Sequence, residues 1–280
     1  MNPERPAQAL ERKRSRPRSR RYHRRMTHAE ALATPTRDLF REDAYLRECR
    51  ATVTAVLPDG GIVLDRTVFY PLGGGQAGDA GVLVRADGRE VPIADTRKGK
   101  DAEGRPTAAI VHVPAPGAEP PAVGEEVTAR IDWERRHRLM RFHTTTHLLC
   151  HLVAQPVNGC SVTPDAARLD FHMDGPLDAA ALNSGIARLV AEAHPVTIGA
   201  ITDAELDARP DLVKSMSVQP PRGSGQVRTV RVGSEGQAQI DLQPCGGTHV
   251  ANTTEIGAVV VTKIEKKGAM ARRVVLGFAA

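Results

Sequence analysis

Aromatic residues are scarce in this chain: nine of 280 residues are Phe, Tyr or Trp. A binding mode that stacks successive bases on aromatic platforms has too little material here. Cysteine is equally sparse, and Cys49, Cys150, Cys160 and Cys245 show no framework spacing. A disulfide scaffold is therefore not expected at this length, and a reducing, cytoplasmic setting is. No apolar run approaches the roughly 18–20 residues of a membrane span, so no membrane partner is expected. The basic N-terminus lacks an apolar middle region, so no secretory leader is expected either.

What is present is enough for a core. Apolar residues make up 41% of the chain, and the length suggests two domains. The net charge of +5 is unevenly spread. Residues 1–25 hold ten Lys/Arg and two Glu, whereas the other 255 carry 28 basic and 31 acidic side chains. The high isoelectric point thus belongs to the tail and does not make the body a nucleic-acid binder. Residues 1–36 are rich in Arg, Pro and Ala and are expected to be disordered. They read either as an RNA-binding arm or as a solvated tail, with Met26 offering an alternative start.

From residue 37 to 132 the pattern is short strands and turns. Cys49–Val56 alternates, Pro58-Asp59-Gly60-Gly61 marks a turn, and residues 61–65 and 67–70 follow as strands. Residues 82–85 and 91–93 form a hairpin about Asp87-Gly88, and residues 108–113 and 127–131 are further strands. These predict a small β-barrel. Within it, Gly73, Gly75 and Gly78 formally match the dinucleotide fingerprint. A strand rather than a helix follows, and no βαβ unit surrounds it, so no nucleotide cofactor is expected. The segment reads either as a tight multi-turn connection or as a backbone surface for a ligand.

The second domain, residues 133–280, opens on a helix from Trp133 to about Gln155, capped by Asp132 and ended by Pro156. It carries His143, His147 and His151 at spacings of four, one turn apart on one face. A turn then leads to a strand at 167–172, a helix from 177 to 193 capped by Asp178, and a strand at 195–198. A short helix at 203–208 and strands at 227–232, 238–242, 257–265 and 273–278 complete an α+β layer on a mostly antiparallel sheet. About a hundred residues after the two histidines comes Pro244-Cys245-Gly246-Gly247-Thr248-His249, whose glycine pair is expected to let the backbone turn sharply. His143, His147, Cys245 and His249 form a donor set that suits zinc, with His151 a rival ligand. Position 144 is Thr where a zincin needs its general-base Glu, so a peptidase of that kind is disfavoured.

His143-Thr-Thr-Thr-His147 with Cys245-Gly-Gly-Thr-His249 resembles the editing domain shared by alanyl- and threonyl-tRNA synthetases. Tyr70-Pro-Leu-Gly-Gly-Gly-Gln76 and Arg168-Leu-Asp-Phe171 look like the same family. With no aminoacylation domain ahead of it, the chain resembles the free-standing AlaX type from about Leu39 onward. The resemblance implies an N-terminal β-barrel followed by a two-layer, zinc-binding editing domain. It also implies hydrolysis of mischarged tRNA(Ala), with serine the expected cargo and glycine a second. Thr146, Gln76 and Ser161 (beside Cys160) are then candidates for the substrate pocket, and Lys266, Lys267, Arg272 and Arg273 for RNA contacts. Because no further module follows Ala280, a monomer is expected. Two other readings stay open: a non-catalytic RNA-binding module stapled by zinc, and a zinc hydrolase of a small ester or amide.

Overall fold

The computed structural model describes residues 27–220, 222–223, 225–234 and 239–279. The first 26 residues of the expected disordered tail lie outside them. Residues 27–36 depart from that expectation, because His28–Ala33 is a short helix. Thr27 accepts the Glu30 N–H and the Glu30 carboxylate accepts the Thr27 N–H. This reciprocal cap satisfies two donors that composition alone does not reveal. Ala31 then packs on Ala55, Val63, Ala109 and Val111.

Six strands follow and pair in a closed cycle: Glu48–Val56, Ile62–Leu64, Pro106–Pro114, Glu90–Lys100, Gly81–Arg85 and Glu126–Ile131, the last returning to the first. All six pairings are antiparallel. Alternation drives the closure. In Glu126–Ile131 every second residue is buried, and Val127, Ala129 and Ile131 join Val53, Leu64, Leu83 and Ile93 in one core. The strand expected at 67–70 is shorter. Only Arg66–Thr67 pairs, in parallel with Arg37–Asp38, while Val68, Phe69 and Tyr70 are buried.

A titratable side chain within this ring is bonded to neutral groups. His112 is fully buried, with Nδ1 donating to the Ile62 carbonyl at 3.1 Å. Its Nε2 therefore accepts from Thr67 Oγ1 at 2.8 Å, and the Phe69 ring lies edge-on to it. Burial pushes the imidazole pKa down from 6.5 to about 4. The unfolded chain takes up this proton first as pH falls, so the stability tied to neutral His112 is full above pH 6.5 and is lost towards pH 4. The expected loss is on the order of 3 kcal/mol. Urea unfolding at pH 7.5 and 4.5 should show this acid-side loss in the wild type and a weaker one in His112→Gln. An equal loss in both would refute it.

The rest of the chain forms a second core around the helix Trp133–Val153. One antiparallel sheet runs in the order Val259–Gly268, Ala271–Phe278, Ala167–His172, Val157–Val162. A second runs Val196–Thr202, Gln226–Val232, Asp241–Pro244, also antiparallel. The whole is mixed α+β with mostly antiparallel sheets. The strand Val157–Val162 replaces the turn expected there. Asn158 and Gly159 disguise it, yet it pairs along Ala167–Phe171 with a bulge. Among the described residues no helix is long and apolar enough to cross a membrane.

The helix is buried around most of its middle, from Leu139 and Met140 through Phe142–Cys150. Two of its three buried threonines are satisfied by bonding back to the helix: Thr145 Oγ1 donates to the Arg141 carbonyl and Thr146 Oγ1 to that of His143. Asp132 caps the start, and Ala154 ends the helix in the left-handed region at φ 54°. Its first turn is fixed to the glycine-rich segment. Arg135 donates to the Gly78 carbonyl, and the fully buried Arg136 donates to both Asp79 carboxylate oxygens and to the carbonyls of Ala44 and Val68. Trp133, at the same end, packs against both cores.

Candidate metal centre

His143 and His147 project from one face of the long helix. Cys245 follows the strand Asp241–Pro244, and His249 lies four residues on. One donor atom from each of these residues comes within 4.8 Å of all the others. Cys245 Sγ lies 3.5 Å from His143 Nε2 and 3.3 Å from His249 Nε2. A tetrahedral ion bound at zinc-like distances sets nitrogen and sulfur donors about 3.3–3.6 Å apart. The two sulfur–nitrogen separations match that spacing, and all four donors lie close enough together to be compatible with one metal ion.

Each imidazole is oriented from behind. His143 Nδ1 donates to Gln76 Oε1 at 2.7 Å. The His147 Nδ1 donates to Asp241 Oδ2, also at 2.7 Å, and Gln243 Nε2 donates to the same oxygen. His249 Nδ1 lies 3.1 Å from Thr144 Oγ1, which also accepts the Val250 N–H. With every Nδ1 occupied, the three Nε2 atoms are left to face the thiol, which is how protein ligands are commonly held to a metal. Burial opposes charge on Cys245, but His143 and His249 bring its pKa well below the ordinary thiol value. Burial likewise works against the His147 imidazolium, yet Asp241 and Cys245 raise it to about 10. The thiolate that a metal requires is therefore favoured by its neighbours.

Gln76 reaches this site from the ring side. It is fully buried, its Nε2 donates to Thr248 Oγ1, and its Oε1 also accepts the Thr248 N–H. The glycine-rich stretch that delivers it is a compact multi-turn connection. Gly73 and Gln76 exchange backbone hydrogen bonds, Gly74 and Gly75 take positive φ, and Gly75 and Ala77 bond to Val162. The glycine pair of the second ligand motif works differently from expectation. Neither Gly246 nor Gly247 has positive φ. Gly247 is needed for space, since a Cβ there would sit 2.1 Å from His143 Cε1 and 2.8 Å from Gln76 Oε1.

The other expected site residues fare unevenly. His151 is exposed and outside the cluster. Thr146 is buried beside His147, its hydroxyl proton given to the helix. Strand alternation sends Ser161 to the face opposite Cys160, and it is Cys160 that packs with the core. Arg272 is corrected as an RNA contact: it is buried and donates to the carbonyls of Gly268, Ala269, Ala271 and Asp174, closing the hairpin turn. Arg273 is paired bidentately with Asp170. Lys266 and Lys267 are exposed. Thr144, Asp241 and Gln243 were not anticipated. Period-two alternation would have put Asp241 and Gln243 on the face of Cys245.

Comparison with known proteins agrees with this geometry. Residues 227–275 match the model of the threonyl and alanyl tRNA synthetase second additional domain, and residues 8–135 match that of class II (A) tRNA synthetases. An alanine–tRNA ligase of Caldivirga maquilingensis is 36% identical over 83% of this chain. The chain spans only about a quarter of the length of such ligases. The alanyl-tRNA editing protein AlaX-M of Methanosarcina mazei is 34% identical over 85% of this chain and 94% of its own length. That of Methanosarcina acetivorans matches at the same identity over 85% of this chain and 97% of its own, and on that near-complete correspondence the chain belongs to the alanyl-tRNA editing protein family of the AlaX-M type.

Proposed function

We propose that this chain is a trans-editing hydrolase that cleaves the ester linking serine, or secondarily glycine, to tRNA(Ala), with zinc held by His143, His147, Cys245 and His249. The observation that carries the reading is the convergence of three imidazoles, each fixed at Nδ1 by Gln76, Asp241 or Thr144, upon one thiol. Membership of the alanyl-tRNA editing family supports an aminoacyl-tRNA substrate. Zinc bound by this set would supply folding energy and, where its shell admits a further ligand, Lewis-acid chemistry. The chain's own groups supply position: Gln76 and Thr248 lock the His143 side of the site, and Asp241 locks the His147 side. In this reading residues 37–132 form one domain and residues 133–280 the editing domain, acting as a cytoplasmic monomer with Lys266 and Lys267 towards RNA.

The specificity problem supports the assignment. A pocket shaped for alanine cannot strongly reject an analogue that adds one hydroxyl, whereas a second site that hydrogen-bonds this hydroxyl can spare alanine. Thr146, buried beside His147, keeps its lone pairs for such a contact. Zinc-loaded protein is expected to release serine from Ser-tRNA(Ala) at least ~100-fold faster than alanine from Ala-tRNA(Ala). Chelation should abolish the activity and added zinc restore it. Ser-tRNA(Ala) left intact by zinc-loaded protein would overturn the assignment.

A further inference from the structure

Of the four donor residues only Cys245 is not buried, and the exposed Gly246 follows it. The part of the donor set nearest solvent is therefore the Cys245–Gly246 peptide, and two guanidinium groups lie by that peptide. Arg228, within Gln226–Val232, donates Nη1 to the Cys245 carbonyl. Its Nε is buried without a hydrogen-bond partner. Arg41 also comes near: a Cβ on Gly246 would have Arg41 Nη1 as its single neighbour within 4 Å, at 3.8 Å. The Nε of Arg41 is held by Asp38, and the side chain is 37% exposed. Burial and Arg41 both oppose the charge on Arg228, with Cys245 in its favour.

Two cations held together, one with an unmade hydrogen bond, suit an anion that offers several acceptor oxygens. An amino acid joined through an ester has no free carboxylate. The anions that enter with such a substrate are the phosphodiesters next to its terminal ribose. We propose that Arg228 and Arg41 bind a backbone phosphate of the tRNA acceptor end at the mouth of the metal site. The assignment rests on the editing reading and adds to it the point at which the nucleic acid is gripped.

The test compares wild type with Arg41→Gln, Arg228→Gln and Arg228→Lys. Binding of uncharged tRNA(Ala) is measured by anisotropy across a salt series, and deacylation of Ser-tRNA(Ala) at steady state. Each Gln variant is expected to raise Kd and KM about tenfold, with kcat little changed. Its log–log salt slope should fall by about 0.7 for the lost phosphate contact. Arg228→Lys should recover part of the affinity, because it keeps the charge and loses the fork. With tRNA(Ala) shortened by its last two nucleotides, the Arg41→Gln penalty should disappear. Unchanged Kd and salt slope, or a penalty that persists on the shortened tRNA, would overturn the proposal. Should Arg228→Gln lose zinc, Arg41→Gln decides, since Arg41 bonds to none of the donors. Failure of the editing reading looks different: the wild type would release no serine while tRNA binding still depended on both arginines.

Discussion

Replacing Cys245 with alanine is expected to cut Ser-tRNA(Ala) deacylation at least ~100-fold and to leave less than about a tenth of an equivalent of zinc per chain. The reason is geometric. Cys245 supplies the one soft, anionic donor, and two Nε2 atoms converge on its sulfur at 3.3 and 3.5 Å. Orienting partners are worth less than ligands, typically 10–100-fold in metal affinity. Gln76→Ala should therefore fall between wild type and Cys245→Ala in both zinc content and rate. Zinc per chain by metal analysis, together with initial rates, checks the ranking. Wild-type zinc content in Cys245→Ala would sink the ligand assignment. A large drop in melting temperature with deacylation preserved would make the metal a structural staple rather than part of the reaction.

The second large effect concerns stability. Asp79→Ala is expected to destabilise the protein by about 3–5 kcal/mol, because it strands a buried guanidinium. Arg136 and Asp79 are both fully buried, and Asp79 accepts the Tyr70 N–H as well. Arg136 also spans to Ala44 and Val68, so the charge has no route to water. Asp79→Asn should fare little better, since it keeps an acceptor but not the countercharge. Urea unfolding at neutral pH measures this, and a change below about 1 kcal/mol would show that the pair is not the junction its geometry suggests.

Much of the site was legible because its strongest signals are local. Two histidines one helical turn apart, and a cysteine four residues from a histidine, need only helix periodicity and donor chemistry to be read. The same holds for the helix bounded by Asp132 and Pro156, and for the alternating strands at 167–172 and 227–232. What stayed hidden is what depends on distant contacts. Gln76 meets His143 across 67 positions, and Asp241 meets His147 across 94. Thr144 counted against a zincin by its identity and proved to be the partner of His249. Charge misled in both directions. Lys98 and Lys100 obscured the far half of a long strand, while Arg272 looked like a surface cation and is a turn clamp. The helix at His28–Ala33 was masked by the arginine-rich stretch before it.

Gln76 belongs to the ring half of the molecule, yet it fixes the tilt of an imidazole on the helix. A fragment beginning at Trp133 would keep all four donors and lose one of the three braces. Tight metal occupancy thus becomes a gauge of whether the two halves have docked. A newly made chain would acquire its full affinity for the ion only as its earlier-synthesised strands close against the later ones. Lesions distant in sequence from the donors, in the glycine-rich connection, would then surface first as metal leakage rather than as unfolding.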